Sequence, residues 1–255
     1  MANSRLRRTD DTCNLRVGMS VSSPAALREQ TREAAIPTPP DGESGTVVWH
    51  REHLRVTDQP AVAAAADADH VLPVFVFDPG FYADSGLACD SRIGFLHDCL
   101  SDLDAQYRAV AGAGLTLAHG DPIDVLGRFR DAGWEIVTVD TTTGRYGAER
   151  DRRARTECDV EFIDGDGLVR GVERPRDRWR EHVEAWFAGD HHTWDPTAVS
   201  VHDVETGVTV DAIESAYGIE PTKSNVPQGG TTTARRRLVD FVDRIRAYPG
   251  NISSP

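Results

Sequence analysis

Short apolar runs alternate with amphipathic segments through the middle of the chain. The runs are Thr46–Trp49, Val71–Phe77, Leu115–His119, Glu135–Thr141 and Val160–Ile163. Near-continuous apolar runs of this length, bounded by Gly, Pro and Asp, are typical of strands buried on both faces. After the second run, apolar residues recur at spacings of three and four, which predicts a long helix: Ile93, Leu96, Leu100, Leu103, Tyr107 and Val110.

The other intervals also favour helices. These lie over Gln59–Asp69, around Ile123–Phe129, over Tyr146–Glu157 and over Asp177–Phe187. Strands that alternate with helices in this way imply right-handed crossovers and a parallel sheet covered on both faces. The sequence therefore predicts an α/β domain over residues 45–187, with a Rossmann-like, doubly wound sheet of five parallel strands.

The flanking segments lack this pattern. Residues 1–44 are polar and contain prolines, which predicts a disordered leader. Residues 188–228 are rich in Asp, Thr, Gly and Pro and predict a loop-rich linker with at most short elements. Thr231–Tyr248 then predicts one amphipathic helix, within a last segment 229–255.

Composition and charge indicate the kind of organism and compartment in which the protein is expected to work. The net charge is −13 over 255 residues, and Lys223 is the only lysine. This balance favours a salt-adapted organism, such as a haloarchaeon, over an acidic mesophile, and strong nucleic-acid binding by the chain alone is not expected. The sequence has no run of about 18 apolar residues and no signal-peptide pattern, so we expect a cytoplasmic protein without membrane contact. The four cysteines have no zinc-ligand spacing.

Ligands of doubly wound sheets bind beyond the carboxyl ends of the strands. In this chain that rim comprises residues 49–55, 78–82 and 140–150. It contains no GxGxxG or P-loop motif, so a dinucleotide or NTP site has no support. His50, His53 and Asp58 lie close in sequence, but no nucleophile is placed near them, and a hydrolase is not predicted.

Five motifs follow one another at regular intervals. They are WHREHLRVTDQPAV (49–62), PVFVFDP (73–79), SRIGFLHDCLSDLDAQY (91–107), GDP (120–122) and YGAERD (146–151). In this order they resemble the N-terminal antenna domain of the DNA photolyase and cryptochrome family. A sixth segment, GGTTTARRRLVDFVDRIRAY (229–248), is similar to the opening of that family's helical FAD domain.

The resemblance implies a domain that binds an antenna pigment, either a deazaflavin or a folate, and passes excitation to FAD. The family activity is that of a deoxyribodipyrimidine photo-lyase, which repairs DNA in light. The positions that match the family's deazaflavin contacts are Trp49, His50, Arg51, Val76, Phe77, Asp78, Tyr146, Gly147 and Arg150. Arg51 and Arg150 are expected to meet polar substituents of a flat ring. Other interpretations are that Trp49 is a core residue and Asp78 a turn former.

The chain also departs from the family pattern. Thr142 and Gly144 stand where the family has acidic pigment ligands, and Glu52 and His53 replace an Arg and an Asp. The helical FAD domain is missing after Tyr248, so we expect no photorepair by this chain alone and FAD only through a separate FAD-domain partner. The alternatives are a non-enzymatic binding module, or a degenerate remnant, on the same fold. An unrelated nucleotide-binding protein has the least support.

Overall fold

The computed structural model describes residues 22–82, 89–141, 144–165, 175–220, 223 and 225–245. Its centre is a parallel sheet with the strand order β3-β2-β1-β4-β5. The strands are β1 (Gly45–His50), β2 (His70–Phe77), β3 (Thr116–His119), β4 (Glu135–Asp140) and β5 (Glu161–Asp164). The predicted doubly wound parallel sheet is confirmed.

Helices cover both faces of the sheet. They are α1 (Pro24–Glu33), α2 (Pro60–Ala65), α3 (Pro79–Tyr82), α4 (Asp90–Ala111), α5 (Pro122–Asp131), α6 (Arg145–Glu157), α7 (Trp179–Ala188), α8 (Val210–Tyr217) and α9 (Thr231–Ile245). Local chemistry sets several of their starts. In α5, for example, the Asp121 side chain accepts the Ile123 N–H and Pro122 opens the first turn.

Each apolar strand supplies two cores, because successive side chains point to opposite faces. In β1, Val47 and Trp49 pack with Leu126 and Phe129 of α5. Val48 between them packs instead with the face that contains α4. The long α4 periodicity is largely confirmed, since its buried residues are Ile93, His97, Leu100, Leu103 and Tyr107. At the end of that stripe Val110 is exposed.

The leader is not disordered throughout, which corrects the expectation for residues 1–44. Residues 24–33 form α1, whose first turn is capped by the Ser23 hydroxyl and whose Leu27 is fully buried. Arg128 of α5 donates to the carbonyls of Thr31 and Ala34 and holds this helix in place. The helix buries only Leu27 and Thr31, which is too sparse a pattern to detect in the sequence. Residues 1–21 lie outside the described part of the chain.

The segment 188–228, which was expected to be a linker, is part of the fold. It adds one strand to the sheet, which corrects the prediction of five strands. A sixth strand, β6 (Ser200–Val201), pairs with the start of β2. Ile213 of α8 is fully buried, and Val199, Val204 and Val208 are also buried. These side chains are scattered through a polar segment, and the apolar stripe of α8, Val210, Ile213 and Tyr217, spans only two turns.

Side chains and backbone groups of the leader and of the linker also bond to β3. The Thr31 hydroxyl accepts the N–H of His119 at 2.9 Å, and the Thr206 hydroxyl donates to the carbonyl of Leu117 at 2.5 Å. The Val204 N–H donates to the Thr116 hydroxyl at 2.8 Å. The leader and the linker are therefore both bonded to the same strand.

The last helix starts at Thr231, as predicted, and residues 246–248 of the predicted span lie outside the described residues. Before it, the Gly229 N–H donates to Asp98 at 3.1 Å and the Gly230 N–H to the Cys99 sulfur at 3.1 Å. A Cβ on Gly229 would lie 2.3 Å from the carbonyl oxygen of Phe95, so this approach to α4 requires glycine. No helix in the described ranges is long and apolar enough to cross a membrane.

Candidate functional site

A cleft of about 860 Å³ opens at the carboxyl ends of β1 and β2. Its walls are largely apolar and include Phe75, Phe81, Tyr82 and Leu96. The start of α9 closes one side with Gly230, Thr231 and Ala234. A concave, apolar space at the strand ends of a doubly wound sheet is the usual place for a small-molecule ligand.

Eight of the nine site residues expected from the sequence line this cleft. They are Trp49, His50, Arg51, Val76, Asp78, Tyr146, Gly147 and Arg150. The side chain of Phe77 does not line it, and a contact of its backbone with a ligand stays a prediction. Its ring is fully buried and packs edge-on against the rings of Tyr82 and His97. The side chain therefore has no surface to offer a ligand.

The guanidinium of Arg51 bonds to other residues of the protein. Its side chain is 4% exposed, and its guanidinium pairs with Asp151 at 2.6 Å and donates to Thr138 at 3.0 Å and to the carbonyl of Val139. Burial lowers the pKa of Arg51, and the charge of Asp151 opposes that change. Arg51 thus ties β1 to β4 and α6 and leaves little side-chain surface exposed, and its contact with ligand substituents stays a prediction.

Arg150 keeps some exposed surface. It donates to Asp151 at 2.9 Å and lies 5.3 Å from the centre of the Trp49 ring, within cation–π range. Its side chain is 19% exposed. Of the two arginines that the sequence singled out, Arg150 exposes more of its side chain to a ligand.

Asp78 forms the expected turn and also binds across the rim. One carboxylate oxygen accepts the Gly80 N–H at 2.8 Å, and the other accepts the Tyr146 hydroxyl. Burial, and then the bond to Asp78, raise the pKa of Tyr146, so the phenol stays protonated and donates. The Asp78–Tyr146 bond joins the end of β2 to α6.

His50 is a neutral wall of the cleft. It is buried, and its Nε2 lies 2.7 Å from the hydroxyl of Tyr107. Burial lowers the pKa of His50 to about 4, although a backbone bond at His53 opposes the shift. At neutral pH its ring therefore carries no charge toward a ligand.

Gly144 lies at the N-cap of α6 and lines the cleft. No side chain in the described ranges caps that helix, because the N-cap residue is a glycine. Thr142, the other altered position, lies outside the described residues. The described residues contain no group of three His, Cys, Asp or Glu side chains able to hold a metal.

The sequence prediction missed the apolar wall and the wall from α9. Phe81, Leu96 and Ala234 are distant from one another in sequence and meet only in the fold. The signal that could have found Ala234 was the GGTTTA segment, whose glycines bring α9 against α4. Phe81 lies within residues 78–82, which the sequence placed on the rim, but no motif singled it out.

A family model for DNA photolyase matches residues 46–170, which include β1 to β5 and most of this cleft. This stretch is therefore similar to the N-terminal domain of the photolyase/cryptochrome family. Among curated relatives, cryptochrome-1 of Mus musculus is 34% identical over 122 residues, which cover 46% of this chain and 20% of that protein. Cryptochrome DASH of Natronomonas pharaonis is 28% identical over 234 residues, which cover 79% of this chain and 48% of that protein.

Solved structures agree with the photolyase-family fold. The archaeal photolyase from Sulfolobus tokodaii, solved with two FAD molecules and with a novel light-harvesting cofactor implied, aligns with a TM-score of 0.56 and 19% identity. A class III photolyase from Agrobacterium tumefaciens aligns with a TM-score of 0.55 and 20% identity. The alignments cover 78% and 83% of this chain and 46% of each photolyase. At this identity the likeness shows the fold alone, and the chain spans less than half of these relatives.

Proposed function

We propose that this photolyase-family domain binds a light-harvesting pigment, a deazaflavin or a folate, in the cleft at the ends of β1 and β2. The excitation would pass to FAD held by a separate catalytic protein that repairs DNA. The observation that carries the proposal is the cleft itself, because eight residues expected from the family resemblance line an apolar space of about 860 Å³.

The chemistry of the walls suits a flat, conjugated ring. Phe75, Val76, Phe81 and Leu96 supply apolar surface, and His50 is neutral at physiological pH. Arg150 and the uncapped start of α6 at Gly144 supply polar contacts for ring substituents. The volume lies within the range of about 300–1,000 Å³ that is usual for small-molecule pockets.

The first experiment is an absorption spectrum of the protein purified in high salt from a host that makes deazaflavin. A bound pigment band without a flavin signature is expected. The pigment-free protein should regain the band when deazaflavin or folate is added. A bare protein spectrum that neither compound changes would contradict the proposal.

A variant that blocks the cleft tests whether the pigment binds there. Ala234 is exposed at the mouth, so Ala234→Trp is expected to obstruct the cleft without disturbing the core and to abolish pigment binding. Ala148→Trp is the matched control, because Ala148 is exposed on α6 and does not line this cleft. Equal pigment binding by the two variants would place the pigment elsewhere.

The proposal assigns no repair chemistry to this chain by itself. Light-dependent restoration of cyclobutane-dimer DNA by the pure protein with added FAD would overturn that assignment. Co-purification of a flavoprotein from the native host would support a FAD-bearing partner.

A second candidate is a non-enzymatic binding module, or a remnant, on the same fold. It is favoured by the exposed apolar side chains of the outer helices. These are Trp179, Trp186 and Phe187 of α7 and Leu238, Val239, Phe241, Val242 and Ile245 of α9. Large exposed apolar surfaces are typical of protein contacts. A pigment-free protein that still forms a stable complex with a partner lacking flavin would favour this function over the first.

A further inference from the structure

A second cleft, of about 1120 Å³, opens between α1, α5 and α6 beside the first. The bonded pair Asp78 and Tyr146 lies in the wall that the two clefts share. Most side chains of the second cleft are charged: Arg28, Arg32, Arg128, Arg145, Arg150, Arg153, Asp78, Asp121, Asp124 and Glu149. Arginines outnumber acids in this cleft, although the whole chain carries a net charge of −13.

Three of the arginines already have close partners. Arg128 donates to the carbonyls of α1, Arg150 pairs with Asp151, and Arg153 pairs with Asp121 at 2.9 Å. Arg32 has one distant contact, 4.0 Å from Glu29, with both side chains well exposed. Arg28 and Arg145 form no hydrogen bond or ion pair with any residue that the structure describes. Their charges are therefore available to a ligand.

The acidic side chains of the cleft are mostly occupied. Asp78 accepts from Tyr146 and Gly80, and Glu149 pairs with Arg152 at 2.6 Å. Asp121 accepts the Ile123 N–H as well as its bond from Arg153. Asp124 alone among the four has no such partner within the described ranges. Two unpaired cations thus face one unpaired anion.

Two further features of the cleft favour an anionic ligand. Arg145 opens α6, whose N-terminus is uncapped among the described residues, so unpaired amides and the positive end of the helix dipole are nearby. His119 also lines the cleft and is fully buried. Its Nε2 bonds the Tyr217 hydroxyl at 2.7 Å, but its Nδ1 has no partner in the described part of the chain.

We propose that this second cleft binds a phosphate group, with Arg28 and Arg145 as its charged contacts. Guanidinium groups match phosphate oxygens in geometry as well as charge. The phosphate could belong to the tail of a pigment whose ring lies in the first cleft, or to a separate phosphorylated metabolite. In both cases α1 contributes to binding, although it precedes the segment 46–170 that matches the photolyase family.

The test is a calorimetric titration with inorganic phosphate, FMN and riboflavin at one fixed, moderate ionic strength. Wild-type protein is expected to bind phosphate, and Arg28→Gln/Arg145→Gln should weaken that binding by roughly tenfold or more. Both side chains are exposed, so circular dichroism should show an unchanged fold. Arg178→Gln/Arg180→Gln is the control with the same change of two charges, since these arginines are 71% and 89% exposed and line neither cleft.

A variant with the opposite effect strengthens the test. Asp124→Asn removes the unpaired acid and is expected to raise phosphate affinity several-fold. FMN binding that exceeds riboflavin binding, with the excess lost in the double arginine variant, would identify a pigment tail. Arginine-dependent phosphate binding with equal FMN and riboflavin binding would identify a separate metabolite.

Two results decide the fate of the proposal. Phosphate binding that is undetectable, or equal in wild type and the double variant, would overturn it. Arginine-dependent phosphate binding by a protein that binds no pigment would support it, while the pigment function proposed above would fail.

Discussion

The guanidinium of Arg51 bonds to partners on two other elements, Thr138 and Val139 of β4 and Asp151 of α6. The arginine and Asp151 are both almost fully buried, 4% and 5% exposed. Removing one partner of such a pair leaves an uncompensated buried charge, which costs more than the pair contributes when intact. Arg51 therefore stabilises the wall of the cleft.

We expect Arg51→Met to lower the free energy of unfolding by about 3 kcal/mol. Arg150 remains beside Asp151 and limits the loss. The double variant Arg51→Met/Asp151→Leu should recover part of the stability, because the buried carboxylate is removed and the charge that loses its partner is that of Arg150, whose side chain is 19% exposed. Urea denaturation of the two variants measures both effects. A double variant less stable than Arg51→Met would show that the unpaired charge of Asp151 is not the cause of the loss.

His50 makes stability depend on pH. Its pKa is 6.5 in a model peptide and about 4 in the fold, so the unfolded chain takes up the proton first as the pH falls. The contribution is complete above pH 6.5 and is lost between pH 6.5 and 4, by about 3 kcal/mol in total. Urea denaturation at pH 7 and pH 5 should give a smaller difference for His50→Gln than for wild type. The exposed His192→Gln is the control, and an unchanged difference in His50→Gln would contradict the assignment.

At the scale of elements, the contact between α4 and α9 completes the candidate site. Asp98, Cys99 and Asp102 of α4 accept backbone N–H groups from residues 229–232. The carboxylates of Asp98 and Asp102 on α4 also suit the positive end of α9, which they contact. The close approach depends on Gly229, which has no Cβ to collide with α4.

Gly229→Ala is expected to detach the start of α9, because its Cβ would lie 2.3 Å from the Phe95 carbonyl oxygen. Amide exchange over residues 231–234 should speed up, while exchange in the centre of α4 stays slow. Gly127→Ala is the matched control, since a Cβ there meets nothing within 4 Å. Unchanged exchange in Gly229→Ala would show that α9 is held by contacts elsewhere.

The elements differ in how far the sequence predicts them. The strands and α4 are evident because burial on a whole face leaves a repeating pattern, as with Leu100 and Leu103. The pattern fails for α1 and α8, in which Leu27 and Ile213 are the only fully buried apolar side chains. The residues at the rim of the site can be predicted from the strand ends. The ion pair between Arg51 and Asp151, which are 100 residues apart, depends on tertiary packing that no local pattern encodes.

At the scale of the whole molecule, the acidic surface sets the conditions under which the fold is stable. A net charge of −13 produces self-repulsion that salt screens. For the proposed salt-adapted protein, raising KCl from 0.1 to 2 M should increase the thermal midpoint by roughly 5 °C. NaCl should give the same increase if screening is the cause. A midpoint that falls or stays constant would contradict salt adaptation.

The bonds from the leader and the linker to β3 have a consequence for solubility. An outermost strand presents unpaired N–H and C=O groups that can recruit a strand from another molecule and start aggregation. In β3 the outward N–H of His119 and the outward carbonyl of Leu117 are taken by Thr31 and Thr206. Two threonine side chains from opposite ends of the domain thus oppose strand addition at these groups. A fragment trimmed to residues 46–170 would lack both threonines, and we expect its exposed edge strand to make it more prone to aggregation.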